Sequence, residues 1–583
     1  MSQPAGAVPA PGGRAGGRFW ALLALGIIGL SAGYAALVLY SASWPEAAAL
    51  RAYYEWRPRR CTPGEYEGLR RGLAALAALA LALAAGPGLA PAGRGELAAL
   101  GQELAGVARG LGQSWLALRP GQRRGALAGL AALTALRLYY SLTLQAYDDA
   151  TTYELFVRES FLAANAAYPL PNNHLLSSAL DWLFYQVNPG FWWSTRLPVL
   201  LVSTGATALW FLALLRRSSF RVAALAVGLF CLPLESLYYA AVGRGYWLLV
   251  GLGAVGFFSL LALREGTPNR QRAAALALVA SGVLGLYAVP THLLFLAPAY
   301  GWWALRALAR RNGQALGTLL GLGALTGLST GLLYAPLLLV SGPDLLLHHR
   351  YVAPLAPAAF WGYVVNTLRQ PYQLVVWTPL TLAGLGALWG LLRWARAGQL
   401  PPALAGWGRQ LGLPSAWLVL TPYLISVAQR SYPPERTLLY KAQYTCILLA
   451  LAADWALRQA RGRRWVRVGL AGAGLAFGAL QVGRVARQEA LWRRSLGRQR
   501  AAPAVAWLAS QAPGPILAPE PAQRFVLRFY SGQGLARAPW VLDARPRPGV
   551  RYRYVLRAPG RDKPAPAAPP AYHGPVFDIF ALY

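Results

Sequence analysis

The chain has 583 residues, of which 56% are hydrophobic and only 13% charged, and its formal net charge is +34. So apolar a balance over this length excludes an ordinary soluble globular protein and points to many membrane spans. Nearly all the positive charge is arginine, Lys441 and Lys563 being the two lysines, and it falls between apolar runs. That placement fits anionic lipid and membrane topology and speaks against a nucleic-acid partner.

Residues 1–18 are a Gly/Pro/Ala-rich tail expected to be disordered. A first span is predicted at Phe19–Tyr40; no small-residue cleavage site follows it, so it reads as retained rather than as a signal peptide. A second span covers Leu69–Ala90. Residues 93–118 alternate Leu and Ala with Arg, Glu and Gln at helical spacing, the pattern of an amphipathic helix on a membrane face. Residues 19–121 thus hold two spans and this helix. The third span, Arg124–Leu144, follows Arg123, so its start is expected in the cytoplasm and its end outside.

Later arginine clusters alternate with this orientation. Leu197–Leu215 returns to Arg216 and Arg217, Val222–Val242 goes out, and Tyr246–Leu263 comes back to Arg264. Residues 273–305 are apolar throughout yet lie between two arginine-rich loops, which requires a hairpin broken at Pro290. Leu316–Val340, Leu374–Leu392, Leu413–Ala428, Thr437–Leu457 and Val466–Val482 continue the alternation. The expected fold is mainly α: a polytopic transmembrane helix bundle of about thirteen spans. Arg51–Arg71 and Arg484–Arg500 break the charge rule, being basic yet extracytoplasmic in this scheme. Residues 484–583 read as a small extracytoplasmic α/β domain. It would comprise a helical stem (484–511) and strands at Pro515–Ala518, Phe525–Tyr530, Arg551–Leu556 and Val576–Tyr583. Cys61, Cys231 and Cys446 lie far apart and are expected as buried small hydrophobes.

Chemistry is concentrated in the first long outer loop, residues 146–195. Asp148 and Asp149 stand where the third span ends, followed by Glu154 and then Asn172, Asn173 and His174. In an adjacent acidic pair one carboxylate can take the proton of an incoming hydroxyl while the other orients the acceptor or tunes the first. Asp is also a favoured helix N-cap, and Ala150–Phe156 reads as a helix; capping by one aspartate and chemistry by the other are compatible. Asn172 and Asn173 equally suit initiation of an amphipathic helix at Leu175–Val187. The His/Asp/Glu set could hold a divalent metal, but no ligand spacing such as His-Glu-x-x-His is present, and no cofactor is expected. Arg196 and Arg244, with Tyr246 beside the latter, mark the outer ends of spans. A guanidinium there can clasp a phosphate or snorkel to lipid headgroups. Arg436 and the intramembrane Lys441 are further cationic candidates, and His292 sits at the hairpin tip. Asp344, His348, His349, Arg350, Tyr351, Asn366 and Arg369 form a polar set suited to a substrate lid.

The order of these elements resembles the C-type-fold membrane glycosyltransferases, especially bacterial relatives of the protein O-mannosyltransferases and the aminoarabinose lipid A transferase. The resemblance covers residues 122–483 and rests on Asp148-Asp149 after the first core span, Arg196-Leu-Pro198, Arg244-Gly-Tyr246 and Pro-Glu435-Arg436. It implies that Asp148 is the general base and that the donor is a polyprenyl-phosphate monosaccharide. It also implies inverting transfer on the outer side of a bacterial plasma membrane. Glu154, Asn172, Asn173, His174, Arg196, Arg244, Tyr246, His292, Arg436 and Lys441 would serve substrate binding. The acceptor hydroxyl, on glycan, lipid or protein, stays open. Two departures stand out: the extra spans within 19–90 and the Asn-Asn-His continuation. The competing readings are a transporter or flippase of a lipid-linked or anionic substrate, and a non-catalytic membrane scaffold.

Overall fold

The computed structural model describes residues 14–53, 61–143, 147–169, 172–265, 271–347, 353–368, 378–431, 435–459, 464–495, 498–530, 540–557, 569–574 and 578–582. Each of the thirteen apolar segments is helical. They are Arg14–Tyr40, Pro63–Leu89, Pro120–Thr143, Leu197–Arg217, Phe220–Cys231 with Leu234–Ala241, Tyr246–Glu265 and Gln271–Ala288; then Leu293–Ala309, Gly313–Val340, Thr378–Arg396, Leu413–Gln429, Leu439–Gln459 and Arg464–Ser495. Among the described residues eight helices are long and apolar enough to cross a membrane, or nine if one bent pair counts as a span. The difference from thirteen has physical sources. Leu293–Ala309 has 17 residues, short for a bilayer. Leu439–Gln459 carries Lys441, Asp454 and Arg458, and Arg464–Ser495 is interrupted by arginines.

Sequence signals for the helix ends are realised locally. Thr62 accepts from the Glu65 N–H at 3.2 Å, and the Glu65 carboxylate accepts from the Thr62 N–H at 2.8 Å, a reciprocal cap on Pro63–Leu89. The expected single span Val222–Val242 is instead two helices meeting at 74° around Pro233, which cannot donate the backbone bond that would carry the helix on. The long apolar run 273–305 is likewise interrupted by a short 3₁₀ turn, Pro290–His292. Cys61, Cys231 and Cys446 are free and buried.

The amphipathic segment forms one helix, Pro91–Leu116. Its two acids fasten it to the start of Gln271–Ala288: Arg272 meets Glu96 at 2.7 Å and Glu103 at 3.1 Å, and Glu103 accepts from the Ala273 N–H at 2.9 Å. The last pairing places a carboxylate on the free N–H groups of a helix start.

The first helix, Arg14–Tyr40, and the later Gln271–Ala288 helix brace the loop that follows Pro120–Thr143. Tyr34 and Tyr287 both donate to Asn165 Oδ1, at 2.7 and 2.6 Å, and Asn165 Nδ2 donates to the Phe161 carbonyl. Ser341 adds a second tie, donating to the Ala166 carbonyl at 2.6 Å and accepting from the Tyr168 N–H at 3.0 Å.

The C-terminal region has four short strands, β1 (Ile516–Leu517), β2 (Leu542–Asp543), β3 (Tyr554–Arg557) and β4 (Asp578–Ala581), in the order β2-β1-β3-β4. β1 is parallel to both neighbours, and β4 runs antiparallel to β3 with Val555 opposite Phe580. The predicted strand at Phe525–Tyr530 is instead part of a helix, Pro521–Tyr530. Its alternating Phe525, Leu527 and Phe529 resemble a strand, but Pro521 opens a helix and Gln523 Oε1 accepts from the Glu520 N–H at 3.3 Å to cap it. This region shares one core with the first loop: Ala150, Tyr153 and Val157 pack with Val505, Leu508, Phe529 and Ile579. Phe191 meets Phe529 edge-on at 5.0 Å.

Candidate active site

Both aspartates lie in the first turn of a short helix, Tyr147–Thr152, which passes into a π-helical turn at Tyr153–Val157. Neighbours in sequence, they have opposite fates. Asp149 is fully buried, with Arg196 Nε and Nη2 each 2.9 Å from its Oδ2, while its Oδ1 accepts the Ala150 N–H. Arg196 is itself buried and also donates to the Ser141 carbonyl at 2.6 Å. A carboxylate removed from water needs such a partner. The guanidinium considered for phosphate is therefore spent inside the protein.

The Asp148 side chain remains 42% exposed, with Oδ2 3.8 Å from Arg244 Nη1. Its backbone carbonyl accepts from Thr152 Oγ1 at 3.1 Å, and Arg244 Nη1 and Asn172 Nδ2 approach the same oxygen at 3.4 and 3.5 Å. Arg244 is buried; it donates to Asn172 Oδ1, and its Nη2 lies 3.0 Å from His174 Nε2. The glycines flanking Arg244 allow this approach. A Cβ on Gly243 would stand 2.6 Å from the Thr195 carbonyl oxygen, and one on Gly245 3.0 Å from His174 Nδ1. His174 Nδ1 accepts the Gly245 N–H at 3.0 Å. Burial first, then the nearby Arg244 and Arg436, hold the His174 imidazole well below its ordinary pKa, so it is neutral between two donors.

Tyr246 packs edge-on against His174 at 4.7 Å and against Tyr239 at 4.8 Å. Arg436, half-buried, hydrogen-bonds Tyr246 and lies within electrostatic reach of Asp148. The structure thus unites Asp148, Asn172, His174, Arg244, Tyr246 and Arg436 in one cluster, with the Asp149–Arg196 pair behind it.

The fold is similar to that of ArnT from Cupriavidus metallidurans, an aminoarabinose lipid A transferase. The apo crystal structure aligns with a TM-score of 0.52 at 15% identity, over 79% of this chain and 98% of that one. The same enzyme bound to undecaprenyl phosphate aligns with a TM-score of 0.51 at 16% identity, over 78% and 98%. The chain has the C-type glycosyltransferase fold. A cryo-EM structure of the arabinosyltransferase EmbB from Mycobacterium smegmatis aligns with a TM-score of 0.40 at 14% identity, over 67% of this chain and 34% of that one. No family model and no curated protein matches the chain.

Within this C-type fold, four other candidates lie apart from that cluster. Asn173 is buried and donates to the Ala163, Ala164 and Ala167 carbonyls, with Ser178 Oγ on its Oδ1 at 2.6 Å. It closes the C-terminal end of the Phe161–Ala166 helix instead of starting the next one. Lys441 is buried in its helix, bonded to the Tyr423 hydroxyl and lying over the Tyr423 ring at 3.9 Å. His292 is buried beside Phe295, with both ring nitrogens lacking a hydrogen-bond partner among the described residues. Glu154 is buried and pairs with Arg158 at 3.2 Å. His348, His349, Arg350, Tyr351, Arg369 and the Asn366 side chain lie outside the described residues, whereas Asp344 is exposed. No group of three His, Cys, Asp or Glu suited to a metal ion occurs among the described residues.

Glu154 supports a pH prediction. Burial, opposed by the Arg158 charge, pushes its carboxyl up to about 7 from an ordinary 4.5. The folded protein therefore binds more protons than the unfolded chain between those values, and stability falls as pH rises through that window, by roughly 3 kcal/mol. Glu154→Gln is expected to flatten this loss and to raise the unfolding temperature above pH 7. Thermal unfolding of both proteins from pH 4.5 to 8 checks it; parallel curves would refute it.

One acid has no counterpart among the sequence candidates. Asp181 is buried on the Leu175–Val187 helix, on the face of His174, Ser177 and Ser178, and its Oδ2 has no hydrogen-bond partner among the described residues. Burial and then the Asp149 carboxylate push its pKa well up. A charge set in an apolar helix at i, i+3, i+4 and i+7 from other polar residues was the available signal.

Proposed function

We propose that this protein is an integral membrane glycosyltransferase. It moves a monosaccharide from a polyprenyl-phosphate donor to an acceptor hydroxyl, with inversion, on the extracytoplasmic side of a bacterial plasma membrane. The observation that carries the reading is Asp148: a half-exposed carboxylate beside a buried guanidinium, in the loop after the Pro120–Thr143 helix, within a fold that ArnT uses with undecaprenyl phosphate bound. Asp148 takes the proton of the acceptor hydroxyl as its oxygen forms a bond to the anomeric carbon. The bond from that carbon to the phosphate oxygen breaks, and the lipid phosphate leaves with the electron pair. A single in-line displacement inverts the anomeric centre. Because Arg244 is buried and its Nη1 and Nη2 already meet Asn172, His174 and the Asp148 carbonyl, the half-buried Arg436 is the better cation for the departing phosphate.

The test is purified full-length protein with undecaprenyl-phosphate sugars, scored for free undecaprenyl phosphate and a glycosylated acceptor. Release that depends on acceptor supports the reading. A protein that moves the intact lipid-linked sugar across vesicles without cleaving it is a transporter, and that result would overturn it.

A further inference from the structure

The Leu175–Val187 helix turns three sides to three surroundings. His174, Ser177, Ser178 and Asp181 recur at helical spacing and are buried on the side of the catalytic cluster, while Trp182 and Tyr185 pack on the core shared with the C-terminal region. The remaining stripe, Leu176, Leu180, Leu183 and Val187, is apolar, and its far end is uncovered: Leu183 is 53% and Val187 85% exposed. Residues 182–195 carry no charged side chain that would favour water over lipid. Both ends of the helix lie at the level where spans stop. At its start Leu176 packs with Leu249 and Val289, at the ends of Tyr246–Glu265 and Gln271–Ala288. Beyond its end, Trp192 Nε1 donates to Ser141 Oγ at 3.1 Å and ties the start of one apolar span, Trp192–Arg217, to the end of another, Pro120–Leu142. Leu142 and Trp193, at those two span ends, are exposed as well. The stripe thus continues the lipid-facing surface of the bundle.

We propose that the bilayer leaflet at the Asp148 end of the bundle covers this stripe, with the Leu175–Val187 helix lying flat in it. Leu180, Leu183, Val187 and Trp193 enter the boundary between headgroups and acyl chains, where an apolar helix face sinks about 5–10 Å. A helix is about 10 Å across. Its opposite side, with His174 and the adjoining Arg244 and Asp148, therefore stands at the depth of the headgroup phosphates. The phosphate of a membrane-embedded polyprenyl donor lies at that same depth, so the insertion aligns site and donor. This consequence rests on the glycosyltransferase reading; the insertion itself does not. The contact is apolar burial without a basic residue, and so it does not depend on anionic lipid.

The test attaches the fluorophore NBD to the full-length protein in nanodiscs, at Val187→Cys and, independently, at Leu183→Cys. Cys61, Cys231 and Cys446 are buried, and the unsubstituted protein measures background labelling. Ser510→Cys, exposed in the C-terminal region, and Leu328→Cys, exposed on the Gly313–Val340 helix, calibrate water and hydrocarbon. Both test sites are expected to emit to the blue of Ser510→Cys. They should be quenched strongly by phosphatidylcholine with a nitroxide shallow in its acyl chain, less by one placed deep, and little by aqueous iodide. The pattern should be the same in phosphatidylcholine and phosphatidylglycerol nanodiscs. Iodide quenching as strong as at Ser510→Cys would overturn the insertion. Protection from iodide and nitroxide lipids alike would also overturn it, showing that a second copy or another protein covers the stripe. A pattern confined to phosphatidylglycerol would overturn apolar burial as its cause. Leu183→Gln with Val187→Gln should raise the KM for a long-chain donor several-fold and leave that for a short-chain, water-soluble donor unchanged. An unchanged KM for the long-chain donor would overturn the alignment of site and donor. Wild-type protein that turns over neither donor would remove the reaction, while the quenching result would still decide the insertion. Unfolding temperature, measured on every variant, separates a shifted helix from a lost fold.

Discussion

Asp148→Asn is expected to lower turnover of a polyprenyl-phosphate sugar by roughly 10²–10⁴-fold, with little change in KM or in unfolding temperature. The substitution keeps size and shape and removes the capacity to take a proton at neutral pH. It also keeps the local architecture, because Thr152, Asn172 and Arg244 approach the Asp148 backbone carbonyl, which the variant retains. The side chain is 42% exposed, so its neutralisation leaves no buried charge beyond Arg244, whose other donors already face Asn172 and His174. Arg244→Gln would be a poorer probe: it strips a buried hub of several hydrogen bonds, and lost activity would not separate chemistry from folding. Steady-state kinetics with a purified donor decides the matter. Wild-type turnover in Asp148→Asn would remove this residue from the role of base and leave the C-type fold without its proposed reaction.

Much of this site was legible because membrane proteins announce themselves strongly. Long apolar runs can be little else than helices where no water can satisfy the backbone, and all thirteen such runs are helical. The polar residues stranded between them, Asp148, His174, Arg244 and Arg436, were therefore conspicuous. What stayed hidden was pairing at a distance. Asp149 and Arg196 are 47 positions apart, and no local pattern says that one aspartate of the pair is consumed by an arginine while its neighbour stays half-exposed. Asn173 had the same difficulty: its obvious local role was to start the following helix, and its amide instead closes the preceding one. At Phe525–Phe529 two local signals conflicted, period-two aromatics against a helix-opening proline, and the cap decided. The first of the extra N-terminal spans acquired a purpose only through Tyr34, which reaches Asn165 across 131 positions.

Removing either member of the Asp149–Arg196 pair is expected to cost far more stability than the pair as a whole supplies. Both side chains are almost completely inaccessible, so Arg196→Met leaves a carboxylate without its counter-ion, and Asp149→Leu leaves a guanidinium with the Ser141 carbonyl. Each single change should destabilise by about 3–5 kcal/mol. The double variant, which replaces two desolvated ions with apolar side chains of similar size, should recover most of that loss. A double-mutant cycle on unfolding in detergent measures the coupling directly. The expected result is strongly non-additive, with the double variant more stable than either single. Additive losses would mean that each residue is held by other groups and that the 2.9 Å contact contributes little. Activity adds a second readout. Asp149 lies next to Asp148 in the same helical turn, so the stable double variant should retain turnover if Asp149 only anchors the loop, and should lose it if that charge also acts on the acceptor.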